Sequence, residues 1–110
     1  MSNLNKVRPI RTFDDLEILF EQSHEHPVLL FKHSNSCGIS SHVLEMMLGI
    51  NAPLNVVVVQ EARAISYAVF CLKKKRHHSP QAFVIRGGRP AYHATHYSID
   101  PDEITEELER

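Results

Sequence analysis

The residues best able to do chemistry in this chain sit together in Ser36-Cys37-Gly38-Ile39-Ser40. A cysteine acts as a nucleophile through its thiolate. Cys37 lies between an apolar run that ends at Phe31 and a segment whose helical periodicity begins near Ile39. The pattern therefore puts it at a strand-to-helix junction. A helix N-terminus presents unpaired N–H groups and positive partial charge, and both favour thiolate over thiol. Such a setting takes a thiol from about 8.5 into the range of roughly 3.5–7.5. Ser36, Gly38 and Ser40 are small and leave the sulfur approachable, and Gly38 lets a substrate backbone come close. Cysteines that only pack are found among apolar residues, unlike this one. The predicted chemistry is thiol–disulfide exchange with Cys37 as the nucleophile.

Ser40 stands where a Cys-x-x-Cys site would carry its second thiol. A serine cannot resolve a mixed disulfide. The site thus reads as monothiol: Cys37 takes up the mixed disulfide and an outside thiol releases it. The Ser40 hydroxyl has two readings, a partner of the thiolate or a solvated helix-start serine. Cys71, within Ala68-Val69-Phe70-Cys71-Leu72, reads as a small core or boundary hydrophobe. A resolving role for it requires close approach to Cys37.

The other chemistry-bearing residues are histidines and one X–Pro bond. His24 and His26 read as solvated at a helix end, and His77-His78 as surface residues. His33, His42 and His96 could approach Cys37, with His33 and His96 taken as candidate neighbours of the thiolate. None of the eight histidines has the spacing of a zinc site, so neither a metal nor a bound cofactor is expected. Ser79-Pro80 precedes a strand; on its residues alone the bond reads as an ordinary trans turn.

Several elements must position these groups. The first eleven residues are polar and irregular, with room for a short strand near Val7 to Ile10. Thr12 is a good N-cap for a first helix, with Asp14 and Asp15 in its opening turn and Phe13, Leu16 and Phe20 as its buried stripe. Val28-Leu29-Leu30-Phe31 and Val56-Val57-Val58-Val59 read as strands buried on both faces. Between them runs a helix with a stripe of Ile39, Val43, Met46 or Met47, and Ile50. A third helix carries Ile65, Val69 and Leu72 and ends in Lys73-Lys74-Lys75-Arg76, which suits the negative end of a helix dipole. Gln81 to Arg86 and Pro90 to Tyr97 read as a hairpin turning at Gly87-Gly88. The last helix starts with Asp100 at N-cap, Pro101 at N1 and Glu103 at N3, a capping-box signal. A strand-helix-strand unit gives parallel strands through a right-handed crossover, and the hairpin adds antiparallel ones. The predicted fold is α/β and thioredoxin-like: a mixed central sheet of four or five strands flanked by helices on both faces.

The bulk numbers fit this reading. A chain of 110 residues suits one domain, residues 1–110, that buries a core without disulfides or a structural metal. The net charge of -1 gives no support to a nucleic-acid surface. No apolar run is long enough to span a bilayer, and the first residues lack the apolar stretch of a signal peptide. The expectation is a cytoplasmic protein with no nucleic-acid or membrane partner.

Several segments together resemble the monothiol bacilliredoxin family, also described as a thioredoxin-like general stress family. They are Phe31-Lys32-His33-Ser34, the Ser36-to-Ser40 site, Arg63, Ser66, His78-Ser79-Pro80-Gln81 and Thr95-His96. The resemblance runs from about Thr12 to Leu108. The usual family site reads Thr-Cys-Pro-Ile-Ser; here Ser36 replaces the threonine and Gly38 the proline, and Tyr92 stands for a late tryptophan. The resemblance implies removal of bacillithiol, or a similar low-molecular-weight thiol, from S-thiolated client proteins through Cys37, with that thiol as co-substrate. It also implies that Ser79 and Pro80 form a cis-proline loop that contacts substrate.

Two other functions compete. Cys37-Gly38-Ile39-Ser40 resembles the Cys-Gly-Phe-Ser signature of monothiol glutaredoxin-like carriers of iron–sulfur clusters. The late Gly-Gly-x-Asp glutathione-binding element of that group is missing, because Gly87-Gly88 follow Pro80 too soon. A non-catalytic binding module on the same fold would carry an unreactive Cys37.

Overall fold

The computed structural model describes residues 7–36, 38–58 and 80–110. The two apolar runs become adjacent parallel strands at the heart of a five-stranded sheet. In chain order the elements are β1 (Val7–Pro9), α1 (Phe13–Gln22), β2 (Val28–His33), α2 (Gly38–Met47) and β3 (Leu54–Val58), followed by β4 (Gln81–Arg86), β5 (Arg89–Thr95), a 3-10 turn (His96–Ser98) and α3 (Pro101–Glu109). The strand order is β1-β3-β2-β4-β5. β3 runs parallel to both β1 and β2, with Leu29 opposite Leu54 and Phe31 opposite Val56. β4 is antiparallel to β2 and to β5. The irregular opening segment thus yields to a short edge strand at residues 7–9, paired with β3. The expected third helix, with Ile65, Val69, Leu72, Cys71 and its basic end, lies outside the described residues.

Alternation along the strands creates two cores. Val28 and Leu30 of β2, Val57 of β3 and Phe83 and Ile85 of β4 face α1, where Leu16 and Leu19 meet them. Leu29 and Phe31, Leu54 and Val56, and Ala82 and Val84 face the other way, onto Val43 and Met47 of α2 and Ile104 of α3. Helices therefore cover both faces, as the pattern predicts. The α1 stripe is corrected: Phe13 is 52% exposed and Leu19 takes its place. Phe13 is the first helical residue, so it lies at the end of the stripe rather than over the sheet. In α2 the inward methionine is Met47, while Met46 is exposed.

The helix starts behave largely as read. The Thr12 hydroxyl accepts from Asp15 N–H at 3.1 Å, and the Asp15 carboxylate accepts from Thr12 N–H at 3.2 Å, closing a capping box. The Asp15 carboxylate also accepts from the Arg11 N–H, and these backbone donors hold its pKa below the ordinary value. At α3, Pro101 sits in the first turn and the Asp100 carboxylate accepts from Asp102 N–H at 2.9 Å. Glu103 does not complete a box there; it accepts instead from the Tyr92 hydroxyl at 3.3 Å.

Candidate active site

β2 and β3 are parallel, and their carboxyl ends are His33 and Val58, which pair in register. Ligands in open α/β sheets bind outside the carboxyl ends of such strands. The chain leaves β2 at His33, passes Ser34, Asn35 and Ser36, and re-enters regular structure at Gly38, the first residue of α2. Cys37 lies outside the described residues; its chain neighbours are Ser36, the end of the turn, and Gly38, the start of α2. Ser36 and Gly38 are both exposed, and Ile39 is half-buried against the α2-side core. Among the described residues, apart from its chain neighbours, a side chain at Gly38 would meet nothing within 4 Å.

Ser40 and His33 are where the structure says more than the sequence. β2 extends two residues past Phe31, so His33 belongs to the strand rather than to a polar loop. It sits on the face of Leu29 and Phe31, and its ring stacks near Phe31 with centroids 6.1 Å apart. Ser40 has no exposed surface and His33 only 7%. Their side chains meet, with His33 Nδ1 2.7 Å from Ser40 Oγ. The same Oγ accepts from the Ser34 N–H at 3.0 Å. One hydroxyl thus ties the strand end, the turn and the first turn of α2 together. Of the two readings of Ser40, the solvated one falls. Burial pushes the His33 pKa below its ordinary value of 6.5, and Asn35 acts in the opposite direction.

The second wall comes from the hairpin side. Pro80 is buried at the head of β4, and its carbonyl accepts from the His96 N–H at 3.0 Å. His96 adopts φ +50, the left-handed region that a non-glycine residue enters at a cost. β5 therefore ends at Thr95 rather than at Tyr97, and the turn His96–Ser98 packs against α2. Ser79 lies outside the described residues. The structure brings His33 to Ser40 and His96 to Pro80; His42 is exposed on α2. Sequence reasoning missed the Ser34 N–H, the Asn35 side chain and a buried polar row on the opposite face. In that row Lys32 and Gln81 pair in register, and His93 Nε2 lies 3.0 Å from Gln81 Oε1. The signal for His33 was present: it follows Leu29 and Phe31 at a period of two. Among the described residues no cluster of three or more histidine, cysteine or acidic side chains could hold a metal ion.

With the fold and this junction described, the chain can be set beside known proteins. The sequence profile of monothiol bacilliredoxin BrxC matches residues 8–104. The chain belongs to the monothiol bacilliredoxin family. It is a thiol oxidoreductase of thioredoxin fold. A solved structure described only as a candidate oxidoreductase with a thioredoxin fold is 21% identical and superposes with a TM-score of 0.84, covering 100% of this chain and 99% of its own. A mutant thioredoxin from Halobacterium salinarum is 16% identical, with a TM-score of 0.71 over 99% of this chain and 93% of its own. Schistosoma mansoni thioredoxin is 15% identical, with a TM-score of 0.72 over 98% and 97%. These likenesses establish the fold of this chain. No helix among its described residues is long and apolar enough to cross a membrane.

Proposed function

We propose that this bacilliredoxin removes bacillithiol, or a similar small thiol, from mixed disulfides on cytoplasmic proteins by a one-cysteine mechanism. The Cys37 thiolate attacks the small-thiol sulfur of the mixed disulfide. The S–S bond to the client breaks, a new one forms to Cys37, and the client leaves as a thiolate that takes a proton from water. A second small-thiol molecule, as thiolate, then attacks the sulfur attached to Cys37. The Cys37 thiolate is regenerated and a symmetrical small-thiol disulfide departs. The observation that carries this reading is Ser40. The position three residues beyond Cys37 holds a buried hydroxyl engaged by His33 and the Ser34 N–H, so no thiol stands there to resolve the intermediate. Pro80 and the His96 turn would flank the incoming disulfide.

The test is turnover of a bacillithiol-modified client, followed by mass, with a glutathione-modified client beside it to identify the small thiol. Wild type frees the client, Cys37→Ala does not, and Cys71→Ala retains the first exchange. Without added small thiol the reaction halts with Cys37 carrying the modification. A Cys37–Cys71 disulfide in wild type, together with loss of turnover in Cys71→Ala, would overturn the one-cysteine mechanism.

A further inference from the structure

Tyr97 is the most exposed large apolar side chain among the described residues, at 81%, and the fold fixes where it stands. Lys32 of β2 pairs with Gln81 of β4, and Gln81 pairs with Thr95 of β5. Because β4 is antiparallel to both strands, β5 ends at the carboxyl end of β2, the same end of the sheet as His33 and Val58. Tyr97 follows in the 3-10 turn His96–Ser98, which packs against α2. The turn is tied at both ends. The His96 N–H donates to the Pro80 carbonyl at 3.0 Å, and the Ile99 N–H donates to the His96 carbonyl at 3.2 Å. Ile99 is itself buried in the α2-side core. His96 holds φ +50, a conformation that costs a residue with a side chain. The backbone beneath Tyr97 is thus fixed, with the ring turned outward. Tyr92 is the contrast, half-buried and donating its hydroxyl to Glu103 at 3.3 Å. Among the described residues, none bonds to the Tyr97 hydroxyl or stacks on its ring.

We propose that Tyr97 is a specificity-determining residue whose ring receives an apolar side chain of the client polypeptide next to its modified cysteine. A single exposed tyrosine needs no explanation by itself. This one is set apart by its place at the carboxyl end of the sheet and by the tied backbone under it. A ring held in place in advance loses little freedom on binding, and an aromatic face is a good partner for an apolar side chain. The surroundings favour the client over the small thiol as occupant. Residues 34–36, 38–42 and 95–98 include no lysine, arginine, aspartate or glutamate. A small thiol bearing carboxylates would call for a fixed cation, and these segments supply none. An apolar side chain needs only the ring. The contact acts in the first exchange and ends when the client leaves. This inference rests on the reading of the site as one that exchanges client mixed disulfides.

The experiment uses two synthetic peptides that carry a bacillithiol-modified cysteine and differ only in the two residues flanking it, leucine in one and glycine in the other. Initial rates give kcat/KM for wild type, Tyr97→Phe and Tyr97→Ala. Wild type should prefer the leucine peptide about three- to tenfold, the difference lying in KM, as one aromatic contact allows. Tyr97→Phe keeps the ring and should keep the preference; Tyr97→Ala should lose it. A preference that survives in Tyr97→Ala, or none in wild type, overturns the inference. So does a loss in Tyr97→Ala that is equal for the two peptides. A loss that falls on release of the modified Cys37 by free bacillithiol also overturns it, since the occupant would then be the small thiol. If wild type turns over neither peptide, the proposed function fails, and this inference is decided by titrating the unmodified peptides into wild type and following the Tyr97 ring by NMR. Ring shifts with the leucine peptide alone support it; equal or absent shifts overturn it.

Discussion

At the scale of single residues, His33 shows how position on a strand decides what a side chain can do. An imidazole in a solvated turn would titrate near its ordinary value, whereas this one is buried at the end of β2 and its pKa is lowered. A histidine whose folded pKa lies below its unfolded value opposes protonation in the native state only. Below pH 6.5 the unfolded chain then binds a proton that the folded chain does not, so stability falls as the pH drops through that window and is full above it. We predict that urea midpoints of wild type fall relative to His33→Asn on acidification from about pH 7 to about pH 5. A pH-independent difference between the two would refute this. The types of the site residues were legible in the sequence, because Cys37 stands among small polar residues and Ser40 three places on. The His33–Ser40 contact was not, because the strand was read as ending at Phe31. A polar side chain two residues past an apolar run looks solvated until α2 is known to fold back over it.

At the scale of elements, the hairpin between β4 and β5 is fastened to the end of α1 by one serine. Gly87 and Gly88 both have positive φ, at 60° and 78°, as a two-residue turn of this hand requires. The Gly87 N–H donates to the Ser23 carbonyl and the Gly88 N–H to the Ser23 hydroxyl, each at 2.8 Å. Ser23 is itself buried at the C-cap of α1 and donates to the Phe20 carbonyl. A β-carbon at Gly88 would sit 3.2 Å from His24 Nε2, so the turn also lies close against the helix end. Ser23→Ala leaves the Gly88 N–H and the contact with Phe20 unmet, which costs about 1–3 kcal/mol. The expected result in urea is a lower midpoint with an unchanged slope; a midpoint equal to wild type would show that water replaces the hydroxyl. Gly87-Gly88 was legible as a turn because only glycine enters that region freely. Its docking on Ser23 joins residues 65 positions apart, and no local pattern in either segment announces it.

At the scale of the molecule, one pair of strands serves two cores. Leu30 of β2 faces α1, and its neighbour Leu29 faces α2 and α3. β4 does the same with Phe83 and Val84. Neither helical layer can leave without exposing half the side chains of a strand that the other layer still needs, so the described layers should melt together. The total stability of a chain this size is about 5–15 kcal/mol. Leu30→Ala and Leu29→Ala each remove a buried side chain at a cost of about 2–5 kcal/mol. We predict that the two variants, though they damage opposite cores, shift one common transition. Far-UV circular dichroism and tyrosine fluorescence should give coincident urea midpoints in wild type and in both variants, with equal slopes. A layered molecule would behave differently: Leu30→Ala would split off an early step of partial amplitude, and Leu29→Ala would not. The site gives a third probe of the same transition. His33 ends the shared strand and Ser40 lies in the first turn of α2, so their contact can survive only while both are in place. Protection of Cys37 chemistry against urea should therefore follow the common midpoint. Activity lost well before it would mean that the β2–α2 junction opens on its own.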